Sequence, residues 1–285
     1  MKVPQLKRRD ANSHKGDYGR VLLIGGSRGM SGAIALAGMS ATRSGAGLVT
    51  LAVPDCCLGT VAQFDPNYMT IGLPYDSDGK LSAAAGTKVL PFVEVATSIG
   101  LGPGLSQSDG TYQSVLQLYQ HYRGPMVVDA DGLNALAKQP SAIGNPAGPR
   151  ILTPHIGEFR RLIGEQIAPK ACRERAADFA AKHGVILVLK GNRTIVTDGT
   201  LRYENTTGNP GMATGGSGDV LTGVITGLLS QDLTSMEAAV LGVYIHGLAG
   251  DLAREAAGDV SMTAETIKDY LSQAFIQSNN ASTSD

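Results

Sequence analysis

The chain has 285 residues, with 24 Lys and Arg against 25 Asp and Glu. The net charge of −1 gives no global field that would draw it to nucleic acid or to a membrane surface. Its three cysteines, Cys56, Cys57 and Cys172, lack metal-ligand spacing and imply no disulfide framework. The basic start has no apolar signal-peptide core behind it, and no apolar run is long enough to span a bilayer, so a cytoplasmic protein without nucleic-acid or membrane partners is expected. Glycine is abundant, 37 residues scattered among apolar runs, against a usual share of ~7 %. That pattern points to ligand loops and close packing.

Short apolar runs alternate with longer helix-like ones. The alternation predicts one domain over residues 1–285, an α/β fold built as a three-layer α/β/α sandwich with a mostly parallel central sheet. Strands are expected at 20–24, 48–53, 98–101, 126–129, 151–153, 185–189 and 194–197. Helices are expected at 32–44, 110–122, 157–163, 169–183, 218–230, 235–256 and 264–277, with a frayed polar tail over 277–285. Pro169 suits the first position of its helix, where no N–H is needed. In such a sheet, ligands sit outside the carboxyl ends of the strands.

After the first strand, Gly25-Gly-Ser-Arg-Gly29 formally matches the nucleophile elbow of hydrolases, but about 20 residues are too few for the strands that precede that elbow. It is read as a glycine turn on the substrate side. Ile99-Gly-Leu-Gly-Pro-Gly-Leu105 is a strand ending in another such loop. Asp129 and Asp131 follow a buried-looking strand, where a carboxylate can cap a helix or serve a metal. Asp129 is the better candidate for a Mg²⁺-linked role, and Asn134 is placed facing a phosphate site. His155 and Glu158 lie three apart at a loop–helix junction, near one face. Lys190 ends the strongly apolar run 185–189, where a cation can meet phosphate. His121, His183 and His246 are read as structural.

The most telling stretch is Gly208-Asn-Pro-Gly-Met-Ala-Thr-Gly-Gly-Ser-Gly-Asp219, followed by an apolar run. Gly215, Gly216, Ser217 and Gly218 form a glycine-rich turn feeding a helix. Its N–H groups and the positive end of the helix dipole make an anion site. Asp219 could simply cap the helix. Placed beside a bound anion, it can instead take a proton from a hydroxyl, which suggests phosphoryl transfer.

Together with Lys15-Gly-Asp-Tyr-Gly-Arg-Val-Leu-Leu-Ile-Gly-Gly-Ser27, Val127-Val-Asp-Ala-Asp-Gly-Leu-Asn-Ala-Leu136, Leu152-Thr-Pro-His-Ile-Gly-Glu-Phe159 and Val188-Leu-Lys-Gly191, this stretch resembles the ADP/ATP-dependent NAD(P)H-hydrate dehydratases of the ribokinase-like superfamily, over about residues 15–275. The resemblance implies a lyase that restores NADH or NADPH from its (6S)-hydrate. The ring hydroxyl would be phosphorylated from ADP or ATP, with Mg²⁺ as cofactor, and phosphate would then be eliminated; bacterial relatives favour ADP. It implies that Ala41, Gly104, His155 and Asp219 contact the substrate. Lys190, Gly191, Asn192, Arg193, Thr194 and Gly218 would bind the nucleotide. Glu158 corresponds to the acidic end of an Asn-x-x-Glu motif that organises Mg²⁺ and its waters, although His155 stands where that motif has Asn. A homotetramer is implied, as is cooperation with an NAD(P)H-hydrate epimerase that would be a separate protein. The competing readings are a hydroxyethylthiazole or hydroxymethylpyrimidine type of kinase, which would leave phosphate on its product, and a nucleotide-sensing module, which would need the cradle but no base.

Overall fold

The computed structural model describes residues 2–281. Nine strands form one sheet in the order β3-β2-β1-β4-β5-β6-β7-β8-β9. They are β1 (Arg20–Ile24), β2 (Leu48–Pro54), β3 (Met69–Leu73), β4 (Ser98–Leu101), β5 (Met126–Val128), β6 (Arg150–Leu152), β7 (Ile186–Leu189), β8 (Ile195–Thr197) and β9 (Arg202–Glu204). The first seven run parallel, and β8 and β9 add an antiparallel edge. Strands buried on both faces read as continuous apolar runs, which is why 20–24 and 98–101 are legible to the residue.

The period of two along a strand divides the core. Leu22 and Ile24 of β1 face α3 (Ala84–Val93), α4 (Asp109–His121), α5 (Ala130–Lys138), α6 (Ile156–Ile163) and α7 (Pro169–His183). Val21 and Leu23 face α1 (Ser31–Arg43) and α2 (Asp55–Ala62). Farther along that second face, Val127, Ile151 and Val188 pack on α8 (Ser217–Leu229), α9 (Ser235–Ser261), α10 (Ala264–Asp269) and α11 (Leu271–Ala281). The three-layer sandwich is therefore as expected. Among the described residues, no helix is long and apolar enough to cross a membrane.

Several elements differ from expectation. The helix expected over 264–277 is two helices broken at Tyr270, and the chain stays helical through Ala281 instead of fraying from 277, with Ala274 and Ser278 buried. Residues 282–285 lie outside the described residues. Helices α2, α3 and α5 and strands β3 and β9 were not anticipated. Pro91 lies inside α3, and Gly132 inside α5, where an added Cβ would come within 2.9 Å of the Leu101 carbonyl. The glycine that lowers helix propensity is thus the one that lets α5 lie on β4.

Helices α1 and α8 meet backbone to backbone. Gly223 and Gly227 of α8 stand over Ala37 and Ala41 of α1; an added Cβ at Gly223 would lie 2.1 Å from the Ala37 carbonyl, and one at Gly227 would lie 2.8 Å from that of Ala41. At the opposite end of the sheet from the strand tips, Arg150 is buried without an acidic partner. Its guanidinium donates to the carbonyls of Tyr119, Tyr122 and Gly124, the last turn and exit of α4, as a cation suits a helix C-terminus, and to that of the preceding Pro149.

Candidate functional site

The connection from β3 crosses back to β4 beside β1, which makes the β1–β4 boundary the topological switch point of the sheet. The loops after β1 and β4 meet there, Gly26 N–H donating to the Pro103 carbonyl at 2.8 Å. The segments after β5, β6 and β7 follow along the same edge, and α8 brings its N-terminus to it.

Helix α8 has Gly216 as its N-cap, whose φ of +91° is left-handed and which provides no side-chain cap. The first N–H groups of a helix have no intrahelical partner; Ser217 N–H donates back to the Thr214 carbonyl at 3.4 Å, which leaves those of Gly218 and Asp219 to face a ligand. Asp219 lies in the first turn, three residues past the N-cap, and is not itself the cap. The dipole alone would favour its ionised form. Burial and the nearby Asp129 outweigh that and the opposing pull of Lys190, and raise its carboxyl from 3.8 to about 7. A carboxylate poised there is suited to general-base work at neutral pH.

Lys190 is not an exposed loop cation. Its Nζ lies 2.7 Å from Asp129 Oδ1 and 3.9 Å from Glu158 Oε2. Burial works against the ammonium, but Asp129, Glu158 and Asp219 prevail and hold it above its usual value. The other Asp129 oxygen accepts from Thr222 Oγ1 at 2.8 Å. Asp129 thus occupies the N-cap position of α5 yet makes no cap bond, because both oxygens serve the network. Asp131 does not cap either: it accepts from Ser106 N–H at 2.8 Å and from Asn134, whose own oxygen takes Arg161 Nε. Gly218 stands over this group, and a Cβ there would lie 3.3 Å from Lys190 Nζ.

His155 is the N-cap of α6. Its Nδ1 accepts from Gly157 and Glu158 N–H, while Glu158 Oε2 accepts from His155 N–H at 2.8 Å. That arrangement leaves the proton on Nε2, 3.5 Å from Glu158 Oε1. Burial, Lys190 and Arg161 together lower the His155 pKa, and burial first pushes Glu158 up.

A cavity of about 450 Å³ opens beside Lys190 and Gly218. The whole expected loop Lys190, Gly191, Asn192, Arg193 and Thr194 lines it, as do Ser217 and Gly218; the remaining wall comes from 205–213 and from α8 and α9. Asn205, Asn209 and His246 were missed by sequence reasoning. His246 was read as structural, yet it lines this cavity with Nε2 3.4 Å from Ser217 Oγ, and burial lowers its pKa to about 4. Its signal was faint: one polar residue in an apolar helix.

Of the other two expected substrate contacts, Ala41 lies away from the strand tips, and Gly104 lies in the loop after β4, packed against the loop after β1. Ala41 is fully buried against Gly227 in the last turns of α1, at the end away from the strand tips. Gly104 is packed rather than open: its φ is +65°, and a Cβ would meet the Met30 carbonyl at 2.7 Å. Ser27 is buried with its hydroxyl donated to the Gly104 carbonyl, so it is no nucleophile.

The mostly parallel sheet, with a glycine-capped helix, a half-buried lysine and a carboxylate at its tips, is of the ribokinase-like class. A hydroxyethylthiazole kinase from Pyrococcus horikoshii shares the fold, at 12 % identity and a TM-score of 0.60 over 91 % of this chain and 89 % of that one. The profile of the NAD(P)H-hydrate dehydratases matches residues 21–273, and the chain belongs to that family. The Bacillus subtilis ADP/ATP-dependent NAD(P)H-hydrate dehydratase, crystallised with ATP and Mg²⁺, is 33 % identical with a TM-score of 0.81, over 96 % of this chain and 94 % of that one. A bifunctional NAD(P)H-hydrate repair enzyme of Moorella thermoacetica is 46 % identical over 272 residues, 94 % of this chain and 51 % of its own length; that of Escherichia coli is 37 % identical over 266, covering 91 % and 48 %. The chain spans about half the length of the curated relatives it matches.

Proposed function

We propose that the chain restores NADH or NADPH from its hydrated form using ADP or ATP, with Asp219 as the base. The observation that carries this reading is the position of Asp219: in the first turn of an uncapped helix, beside Lys190 and next to a cavity of nucleotide size. In this scheme the nucleotide enters the cavity along 190–194, with its terminal phosphate at the N–H groups of 215–218 and near Lys190. Asp219 takes the proton of the ring hydroxyl as that oxygen attacks the terminal phosphorus, the phosphoanhydride bond breaks to release AMP from ADP or ADP from ATP, and the free N–H groups meet the developing charge. Phosphorylation matters because hydroxide leaves poorly and phosphate well. The ring nitrogen's electron pair expels phosphate, and the adjacent ring carbon gives up a proton to restore the double bond.

The residues fit a hydrated Mg²⁺ better than a caged one. Asp129, Glu158 and Asp219 outnumber the single Lys190, and burial with mutual repulsion raises Glu158 and Asp219, so the group is short of positive charge. Among the described residues, no three His, Cys, Asp or Glu side chains form a ready cage, and both Asp129 oxygens are engaged. Mg²⁺ commonly keeps several waters and takes one or two carboxylates. Glu158, with Asp129 through water, would hold it, and it would supply charge neutralisation on the phosphates. His155 belongs to the proposed substrate side together with the Gly26 and Pro103 loops. Assembly as a homotetramer, a cytoplasmic setting and cooperation with an epimerase belong to the same proposal.

The test is to supply hydrated NADH with Mg²⁺ and either ADP or ATP. Recovery of dihydronicotinamide absorbance with release of phosphate is expected. A stable phosphorylated product without that recovery would favour the small-molecule kinase instead.

A further inference from the structure

The hairpin tip that lines the cavity is held from outside by a residue no motif singles out. Arg173 lies on α7, away from the cavity wall. Its Nη1 donates to the carbonyls of Asn192 at 3.2 Å and Arg193 at 2.9 Å. Its Nη2 is 3.2 Å from Glu204 Oε1 on β9, and the same oxygen lies 3.1 Å from Arg193 Nε. One guanidinium therefore ties a helix, the β7–β8 hairpin tip and the edge strand together. The planar fork suits this, because it donates in several fixed directions at once.

The tip itself is unusual. Arg193 has a φ of +57°, a left-handed conformation that a side chain of its size rarely adopts. In a planar trans peptide, the carbonyl and the N–H of the next residue point in opposite directions. Two carbonyls turned toward Arg173 therefore turn the N–H groups of Arg193 and Thr194 away from it. Asn192, Arg193 and Thr194 line the cavity and Arg173 does not. A left-handed residue with successive N–H groups facing one way is the geometry of an acceptor-binding nest.

We infer that Arg173, anchored by Glu204, is a positioning residue that sets the hairpin tip so that the N–H groups of Arg193 and Thr194 face a hydrogen-bond acceptor of the bound nucleotide. The inference rests on the nucleotide occupying this cavity, as proposed above. Arg173 touches no reacting atom, so its effect falls on nucleotide binding and not on chemistry.

The experiment measures ADP and ATP affinity by calorimetry for wild type, Arg173→Met and Glu204→Gln, alongside steady-state kinetics and melting temperature. Arg173→Met is expected to weaken nucleotide binding by about tenfold or more, the scale of losing charge-assisted hydrogen bonds. The KM for the hydrated cofactor and the kcat at saturating nucleotide should stay within about twofold, a split that general destabilisation would not produce. Glu204→Gln, which keeps shape and removes only the anchoring charge, should shift nucleotide affinity in the same direction by less. Unchanged affinity in both variants, with wild type binding normally, overturns the role of Arg173 alone. Failure of wild type to bind either nucleotide overturns the nucleotide reading and this inference with it.

Discussion

Replacing Asp219 with Asn keeps the side chain's size and most of its hydrogen bonding while removing its ability to take a proton. Loss of a positioned base costs ~10²–10⁴-fold in rate, so kcat should fall by at least about a hundredfold while nucleotide affinity holds. Stability should move the other way. The folded-state pKa is raised from 3.8 to about 7, so proton binding favours the folded chain. That contribution is fully present below the unfolded value and lost as pH rises through about 7. Above that pH the wild type holds a charge its surroundings disfavour, by roughly 4 kcal/mol as an upper bound at 1.36 kcal/mol per pH unit. Partial access of the side chain to solvent brings the true figure lower. Asn carries no such charge, so at about pH 8 the variant should melt no lower than wild type, and its melting point should vary less with pH. In wild type, kcat/KM should climb with pH and level off above about 7. The assay is recovery of dihydronicotinamide absorbance across pH, with calorimetry for ADP and scanning calorimetry for melting. Near-normal kcat in Asp219→Asn would refute the base assignment, whatever the melting curves show.

Lys190→Ala should weaken nucleotide binding, and it should also lower the melting temperature, because Asp129 is left buried and unpaired, a loss of about 3–5 kcal/mol. Adding Asp129→Asn should restore part of the stability and none of the affinity, as read by calorimetry. Thr222→Val leaves Asp129 Oδ2 without its donor and should cost about 1–3 kcal/mol in urea unfolding, while Thr222→Ser retains the hydroxyl and most of the stability. Gly104→Val should act on the fold, with a depressed melting temperature, because the left-handed backbone and the Met30 carbonyl at 2.7 Å reject a branched side chain. A folded Gly104→Val protein with a raised KM for the hydrated cofactor alone would show the packing argument to be wrong.

What could be read from sequence follows from what is local. The glycine-rich approach to Asp219 is a contiguous signal, because the turn, the helix start and the carboxylate all lie within a few residues. The strand tips were legible for the same reason, each being an apolar run with polar residues after it. Lys190 and Asp129 are 61 residues apart, and Thr222 is 93 from Asp129. Nothing in either neighbourhood says that they meet, so Lys190 read as free to reach phosphate when it is already paired. Ala41 and Gly104 came from resemblance alone, and their surroundings give each a packing reason that no local pattern shows. The exposed edge strand β3 alternates too weakly to be read, and the charge on His246 depends on burial that only the packed helices supply.

The glycine contact between α1 and α8 bears on how the protein can move. With Gly223 and Gly227 laid on the main chain of Ala37 and Ala41, no layer of side chains separates the two helices to absorb a slide or a tilt. One of these helices starts just after the Gly25–Gly29 loop and the other carries Asp219, so the two flanks of the proposed site are packed as one unit. A hinge that opens and closes the site by parting them is not available. In the proposed reaction, admission of substrate and release of product would then fall to the segments that line the cavity from outside this pair, the tip at 190–194 and the stretch 205–213.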